Sequence, residues 1–246
     1  MFKNKITIIT VTYNCKTNIE ATISSIISQD YSNIEFLIID GRSCDGTLEI
    51  LEKYKNRIDF LVSEPDNGIF DAMNKGIERA TGDFILFMNS GDTFVNNHVL
   101  SLINFDKEYG VIYGNMVINV RNKKLECKPE PFFKSKDYIK TMGICHQCIF
   151  VRTDLAKHYK FSPEFKIAAD FNMIFQIWKK GYKFKYVDVP IANYDTTGFS
   201  AQNYPKQLKE ICRIWGIENK FATKFVLLYL TSKATLKCKI KKILYK

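Results

Sequence analysis

Residues 6 to 92 alternate between short apolar runs and stretches of helical spacing, and no other feature constrains the fold as strongly. Ile6 to Thr12, Ile34 to Ile39, Ile58 to Val62 and the run from Phe84 read as strands. Between them lie Thr17 to Ser28, with Ile19, Ile23, Ile26 and Ile27 on one helical face, and Thr47 to Tyr54, with Leu48 and Leu51 expected inward. Ile69 to Ala80 is a third helix, ended by Thr81-Gly82. Alternation of this length requires right-handed βαβ units and a mostly parallel sheet flanked by helices, an α/β fold. The last run, read as strand up to its end, stops on Asn89-Ser90-Gly91-Asp92. Ligands of open α/β sheets bind beyond the carboxyl ends of the strands, so Asp92 is the first candidate to hold a metal or polar ligand.

Farther on the alternation loosens. Gly110 to Val120 and His146 to Val151 read as strands, and Lys128-Pro129-Glu130-Pro131 as a loop. Ala169 to Lys180 reads as a helix with Phe171, Ile174, Phe175 and Trp178 inward, closed by Gly181, and Tyr182 to Val187 as a further strand. A chain of 246 residues, 46% hydrophobic, can bury one substantial core. The seven cysteines are odd in number and scattered, which argues against a disulfide framework. Cys145-His146-Gln147-Cys148 lacks the second pair a zinc site needs. No apolar stretch with a cleavage site precedes the first strand and none reaches the length of a spanning helix, so a cytoplasmic protein is expected.

The charge of +10 is unevenly placed: residues 220–246 hold eight lysines and no acid, which leaves +2 for residues 1–219. Phe221, Phe225, Leu228, Leu236, Ile240 and Ile243 interleave with those lysines. The pattern suits an amphipathic helical tail on an anionic membrane surface, or a solvated helix face on the body.

The first βα turn lacks G-x-G-x-x-G, and no G-x-x-x-x-G-K-[ST] occurs. A phosphate ligand would then need a divalent cation held by carboxylates, for which the strand-end acids Asp40 and Asp92 are suited.

Several motifs in order resemble the inverting glycosyltransferases of family 2. They are Ile9-Thr10-Val11-Thr12-Tyr13-Asn14, Asp40-Gly41-Arg42-Ser43-Cys44-Asp45-Gly46-Thr47, Asn67-Gly68 with Ala72, Asn74 and Gly76, Thr81-Gly82-Asp83, and Asn89-Ser90-Gly91-Asp92. The resemblance implies a GT-A fold with a Rossmann-like nucleotide-binding half over residues 1–95, an acceptor half over 96–219, and the tail over 220–246. It implies that Val11 and Tyr13 contact the nucleotide base, Tyr13 by stacking, and that Asp40 and Asn89 belong to the nucleotide site. The acid that in relatives accepts the uracil N–H is Gly41 here, with Asp66 as its expected replacement. Relatives often carry D-x-D-D at the fourth strand end; here Asp92 is left to bind manganese or magnesium, helped by Asn89. Asp170, in Ala168-Ala169-Asp170-Phe171, aligns with the catalytic base, and His146 and Gln147 with the acceptor side.

The resemblance further implies a nucleotide-sugar donor, with UDP first and GDP and dTDP left open. The acceptor is a glycan or a polyprenyl-diphosphate-linked sugar in bacterial surface polysaccharide assembly. Gln207 and Arg213-Ile214-Trp215 do not reproduce the Q-x-x-R-W of processive members, so transfer of a single sugar is expected. A sugar-phosphate nucleotidyltransferase would need a glycine-rich basic loop after the first strand, which Thr12-Tyr13-Asn14-Cys15 does not provide. A nucleic-acid or membrane adaptor would rely on the tail alone, since the body is nearly neutral. No nucleic acid partner is expected.

Overall fold

The computed structural model describes residues 4–120, 123–129, 145–194 and 203–219. The lysine-rich tail over 220–246 lies outside them. The chain runs β1 (Ile6–Thr12), α1 (Ile19–Ile27), β2 (Ile34–Asp40), α2 (Thr47–Lys53), β3 (Phe60–Ser63), α3 (Ile69–Arg79) and β4 (Phe84–Phe87). It continues with β5 (Thr93–Phe94), β6 (Tyr109–Val120), β7 (Lys123–Cys127), β8 (Ile149–Arg152), α4 (Thr153–Tyr159), α5 (Ala169–Lys179), β9 (Lys183–Tyr194) and α6 (Tyr204–Ile214).

Among the described residues, nine strands form one sheet in the order β3-β2-β1-β4-β8-β6-β9-β5, with β7 paired to β6. The first four strands in that order are parallel, as the alternation requires. Beyond β4 the sheet is mixed: β8 runs antiparallel to both β4 and β6, whereas β6 and β9 are parallel. The expectation of a mostly parallel sheet therefore holds for the first half only. The second half is joined by connections other than βαβ crossovers, which release the strands from a common direction.

Helices cover both faces, which is why β1 and β2 are buried almost throughout, their threonines included. Ile19, Ile23 and Ile26 of α1 share one cluster with Ile6, Ile8, Phe36, Ile38, Phe84 and Leu86. Ala72, Met73 and Ile77 of α3 share the other with Ile9, Val11, Leu37, Ile39 and Phe87, joined by Met173, Ile174 and Ile177 of α5. Each isoleucine buried in this way contributes about 1.5–3 kcal/mol.

Three local expectations are corrected. In α2 the buried residues are Thr47, Ile50 and Leu51, while Leu48 is 36% exposed, so the helix is turned relative to the expected phase. In α5 the buried face runs through Ala169, Met173, Ile174, Phe175 and Ile177, and Trp178 is exposed. His146–Cys148 form a 3-10 turn, and β8 begins only at Ile149. The run from Phe84 is assigned as strand only to Phe87, but Met88 N–H and Ser90 N–H still donate to the carbonyls of Ile9 and Val11. The polypeptide stays beside β1 up to the turn that presents Asp92.

At the opposite, amino-terminal end of the sheet, Glu35 pairs in register with Thr7 and is buried. Its burial alone would raise the carboxyl. Hydrogen bonds from Thr7, from the Thr81 backbone and hydroxyl, and from Lys5 outweigh burial and hold the carboxyl at about 2, against an ordinary 4.5. A carboxyl depressed on folding stabilises the native state above its ordinary value, and that contribution is lost as pH falls toward its folded value. Glu35→Gln should therefore lower stability at neutral pH and flatten the acid limb of the stability curve between pH 4.5 and about 2. Equilibrium denaturation across that range is the test; parallel curves for the two proteins would contradict it.

Candidate functional site

The parallel register brings the carboxyl ends of the first strands into line. Thr12 pairs with Asp40, and Asp40 with Ser63, while Ser90 lies against Val11. Every loop that leaves this edge carries polar groups, and the loops are tied to one another. Asn14 N–H donates to Ser43 Oγ at 2.8 Å, Cys44 N–H to Asn14 Oδ1 at 2.9 Å, and Cys15 N–H to Thr47 Oγ1 at 2.9 Å.

Asp40 is fully buried, and its oxygens accept from the Ser43 backbone and hydroxyl and, at 2.6 Å, from Ser63 Oγ. Both oxygens thereby shape the loop after β2. Val11 is likewise buried under α3, so its side chain faces the core. Tyr13 stands 61% exposed at the rim.

Next to Tyr13, the backbone of Gly41 has been approached by Asp66. A Cβ built on Gly41 would lie 2.5 Å from Asp66 Oδ2 and 3.3 Å from Tyr13 Cδ2. The Asp66 carboxylate thus fills the space into which a side chain at position 41 would project. Its other oxygen accepts from Gly68 N–H at 2.8 Å, which fixes the carboxylate against the start of α3.

After β4 the chain turns at Gly91, whose φ of +103° is a conformation that side-chain-bearing residues rarely adopt. Asp92 N–H closes the turn on Asn89 O at 3.0 Å, and Thr22 of α1 holds it from below, donating to Asp92 O at 2.8 Å and accepting from Gly91 N–H at 3.1 Å. Asp92 is 6% exposed and accepts from Gln147 Nε2 at 2.7 Å. Gln147, expected on the acceptor side, is 3% exposed and directs its amide N–H at Asp92.

The neighbouring His146 points elsewhere. Its Nδ1 lies 3.4 Å from Asp170 Oδ2, and its Nε2 lies 3.2 Å from Asn89 Nδ2. Asp170 is the second residue of α5, half-buried, with Oδ1 accepting from Phe171 N–H at 2.7 Å. It is not the N-cap, a position taken by Ala168. The segment leading into α5 is held by Glu210 of α6, whose carboxylate accepts from the backbone N–H groups of Lys166, Ile167 and Ala168 at 2.8–2.9 Å. No local sequence pattern signals Glu210, since its partners lie over 40 positions away.

Among the described residues no group of three or more His, Cys, Asp and Glu side chains is placed to hold a metal. What the site offers instead is one buried carboxylate beside buried polar atoms without a hydrogen-bond partner: Asn89 Oδ1, Ser90 Oγ and Thr12 Oγ1. Unpaired polar atoms at that depth are costly unless something else satisfies them. Asp92 and the Asn89 amide oxygen suit a magnesium or manganese ion that takes its remaining ligands from a diphosphate and water. Burial, with the nearby Asp92 carboxylate adding to it, pushes the Cys148 thiol up to about 12, and burial with the neighbouring Cys148 raises Cys145 well above its ordinary value.

The family model described as Glycosyl transferase family 2 matches residues 7–159. Among curated relatives, the PGL/p-HBAD biosynthesis glycosyltransferase Rv2957 of Mycobacterium tuberculosis is 25% identical over 200 residues, 78% of this chain and 77% of the relative. TuaG of Bacillus subtilis, named provisionally as a teichuronic acid biosynthesis glycosyltransferase, is 33% identical over 110 residues, 44% of each chain. S. aureus TarS 1-349, in complex with UDP-GlcNAc, superposes with a TM-score of 0.67 at 23% identity, covering 87% of this chain and 66% of that one. The present chain spans only 39% of the longer TarS chain. The mannosyltransferase PcManGT from Pyrobaculum calidifontis, in complex with GDP-Man and Mn2+, superposes with a TM-score of 0.65 at 15% identity, covering 99% of this chain and 81% of that one.

Proposed function

The chain belongs to glycosyl transferase family 2, with the GT-A fold and glycosyltransferase activity that this carries, and we propose that it is an inverting, single-transfer enzyme using a UDP-sugar. Residues 1–95 serve as the donor half and 96–219 as the acceptor half. The observation that carries the proposal is that the consecutive residues His146 and Gln147 reach the two carboxylates such a reaction needs, Asp170 and Asp92.

In this reading the nucleobase stacks on Tyr13, and its N–H donates to Asp66 where relatives use the acid after Asp40. Asp40 acts indirectly by holding the loop between Gly41 and Cys44. Asp92 and the Asn89 amide oxygen hold the cation. When bound, that cation neutralises the charge developing on the departing diphosphate. Asp170 accepts the proton of the acceptor hydroxyl as its oxygen bonds to the anomeric carbon. The carbon's bond to the diphosphate oxygen breaks in the same displacement, and UDP leaves. The helix α5 places Asp170 in its first turn, facing His146. The Mn2+ in the PcManGT complex and the UDP-GlcNAc in the TarS complex support the choice of cation and nucleotide. The names of Rv2957 and TuaG support a glycan or lipid-linked acceptor in bacterial surface glycoconjugate assembly. No helix among the described residues is long and apolar enough to cross a membrane. Contact with a lipid-linked acceptor at the inner face of the cell membrane is assigned to the basic segment 220–246 on its eight lysines. With the family shown, the nucleotidyltransferase and adaptor readings fall away.

Asp170→Asn should reduce turnover about 10²- to 10⁴-fold and leave UDP affinity unchanged. Asp92→Ala should abolish the dependence of UDP binding on manganese. Turnover of the Asp170 variant within a few-fold of wild type would contradict the assignment of the base. Asp66→Gly should weaken UDP binding about 10- to 100-fold, the cost of a hydrogen bond to a charged group, and leave CDP, which lacks the imino N–H, unaffected. Adding Gly41→Asp to that variant should restore UDP binding; calorimetric titration showing no recovery would place nucleobase recognition elsewhere. Deleting residues 220–246 should release the protein from anionic liposomes at low salt, and undiminished co-sedimentation would rule out the membrane contact.

A further inference from the structure

The turn His146–Cys148 is bound at its base and presents its two polar side chains in different directions. Cys148 N–H closes it on Cys145 O at 2.9 Å, and the Cys148 thiol, 1% exposed, donates to Asn115 O on β6 at 3.3 Å. The turn then runs directly into β8, which lies between β4 and β6 in the middle of the sheet. It is thereby tied to the sheet on its carboxyl side.

We infer that this turn is a positioning clip that sets the separation of the two working carboxylates, Gln147 holding Asp92 on the donor side and His146 holding Asp170 on the acceptor side. The inference rests on the activity proposed above and assigns residues that activity does not itself identify. The chemistry of the contacts supports it. A carboxylate oxygen facing His146 Nδ1 requires a proton on that nitrogen, so in the neutral ring Nε2 is the acceptor, and Asn89 meets it with its amide N–H. Asn89 is thereby turned so that its oxygen, which has no hydrogen-bond partner, faces away from the imidazole. The Asn89 amide thus steadies the imidazole from one side, while Nδ1 faces the base on the other. The 3.4 Å between Nδ1 and Oδ2 is longer than a full hydrogen bond, and such contacts commonly tighten when substrate binds. A clip of this kind matters because reacting atoms misplaced by about 1 Å can cost 10²-fold in rate.

The test compares wild type with His146→Ala, His146→Asn and Gln147→Ala in two measurements. These are the affinity for UDP with manganese, by calorimetry without turnover, and the rate of UDP release from UDP-N-acetylglucosamine, UDP-glucose or UDP-galactose with water as acceptor. His146→Ala should lower the rate about 10- to 100-fold with UDP–manganese affinity within about threefold of wild type. His146→Asn, which keeps an N–H where the imidazole Nδ1 stands, should recover most of that rate. Gln147→Ala should instead weaken UDP–manganese affinity about tenfold, as loss of an oriented carboxylate ligand does. A rate for His146→Ala within about threefold of an active wild type would overturn the inference. So would parallel losses of affinity and rate in both alanine variants, or an Asn variant as slow as the Ala variant. Wild type that binds UDP with manganese but releases no UDP from any of these sugars would instead overturn the proposed activity. In that case Gln147→Ala affinity equal to wild type would overturn the donor half of the clip independently.

Discussion

Strand β1 is enclosed on all sides: α1 packs in the cluster on one face, α3 in the cluster on the other, and β2 and β4 pair along its edges. From Ile6 to Thr12 no side chain reaches solvent. Polar groups can emerge from such a strand only past its end, and every neighbour in register delivers its own end to the same line. Thr12, Asp40, Ser63 and Ser90 follow from that register, and the proposed donor site is the edge they form. The site is thus a consequence of how completely the sheet is buried, with loops cross-tied above it.

The departures from the family pattern are local substitutions that the geometry makes good. Gly41 in place of an acid leaves a space beside Tyr13, and Asp66 enters it from the loop before α3. Gly91 in place of another acid gives the positive φ that turns the chain onto Asp92. With fewer carboxylates at the fourth strand end, more depends on keeping Asp92 and Asn89 correctly aimed, and the turn at His146–Cys148 and Thr22 of α1 hold them. Family motif residues elsewhere serve structure. Asn74 exchanges two hydrogen bonds with the backbone of Phe161, joining α3 to the segment after α4.

Much of the first half was legible because period alone reports it: the seven residues of β1 and the Ile19, Ile23, Ile26 face of α1 stand where alternation and helical spacing put them. The phase of α2 was not, since Leu48, Ile50 and Leu51 are all apolar and only packing decides which faces inward. Asp66 was singled out because an acid is missing at Gly41, and its carboxylate lies where a side chain at position 41 would project. Asp40 and Val11 lie at the expected place, yet Asp40 has its oxygens bonded to Ser43 and Ser63 and Val11 packs in the cluster under α3, details that spacing cannot express. The run from His146 to Val151 looks like strand, yet its first residues form a turn because Gln147 must reach Asp92, 55 positions away. Partners so distant in sequence leave no trace in a local pattern, and Glu210 escaped notice for the same reason.

The central claim is that one buried edge holds nucleobase, diphosphate and cation together, with Asp66 and Asp92 as the two acids in direct contact. A crystal structure of the protein with UDP and manganese tests it most directly, because the metal's anomalous signal locates the ion independently of the refined side chains. The account predicts a single manganese bound to Asp92 and the diphosphate, and uracil beside Tyr13 with its N–H on Asp66. Manganese held by other carboxylates, or uracil bound away from Gly41 and Asp66, would contradict it.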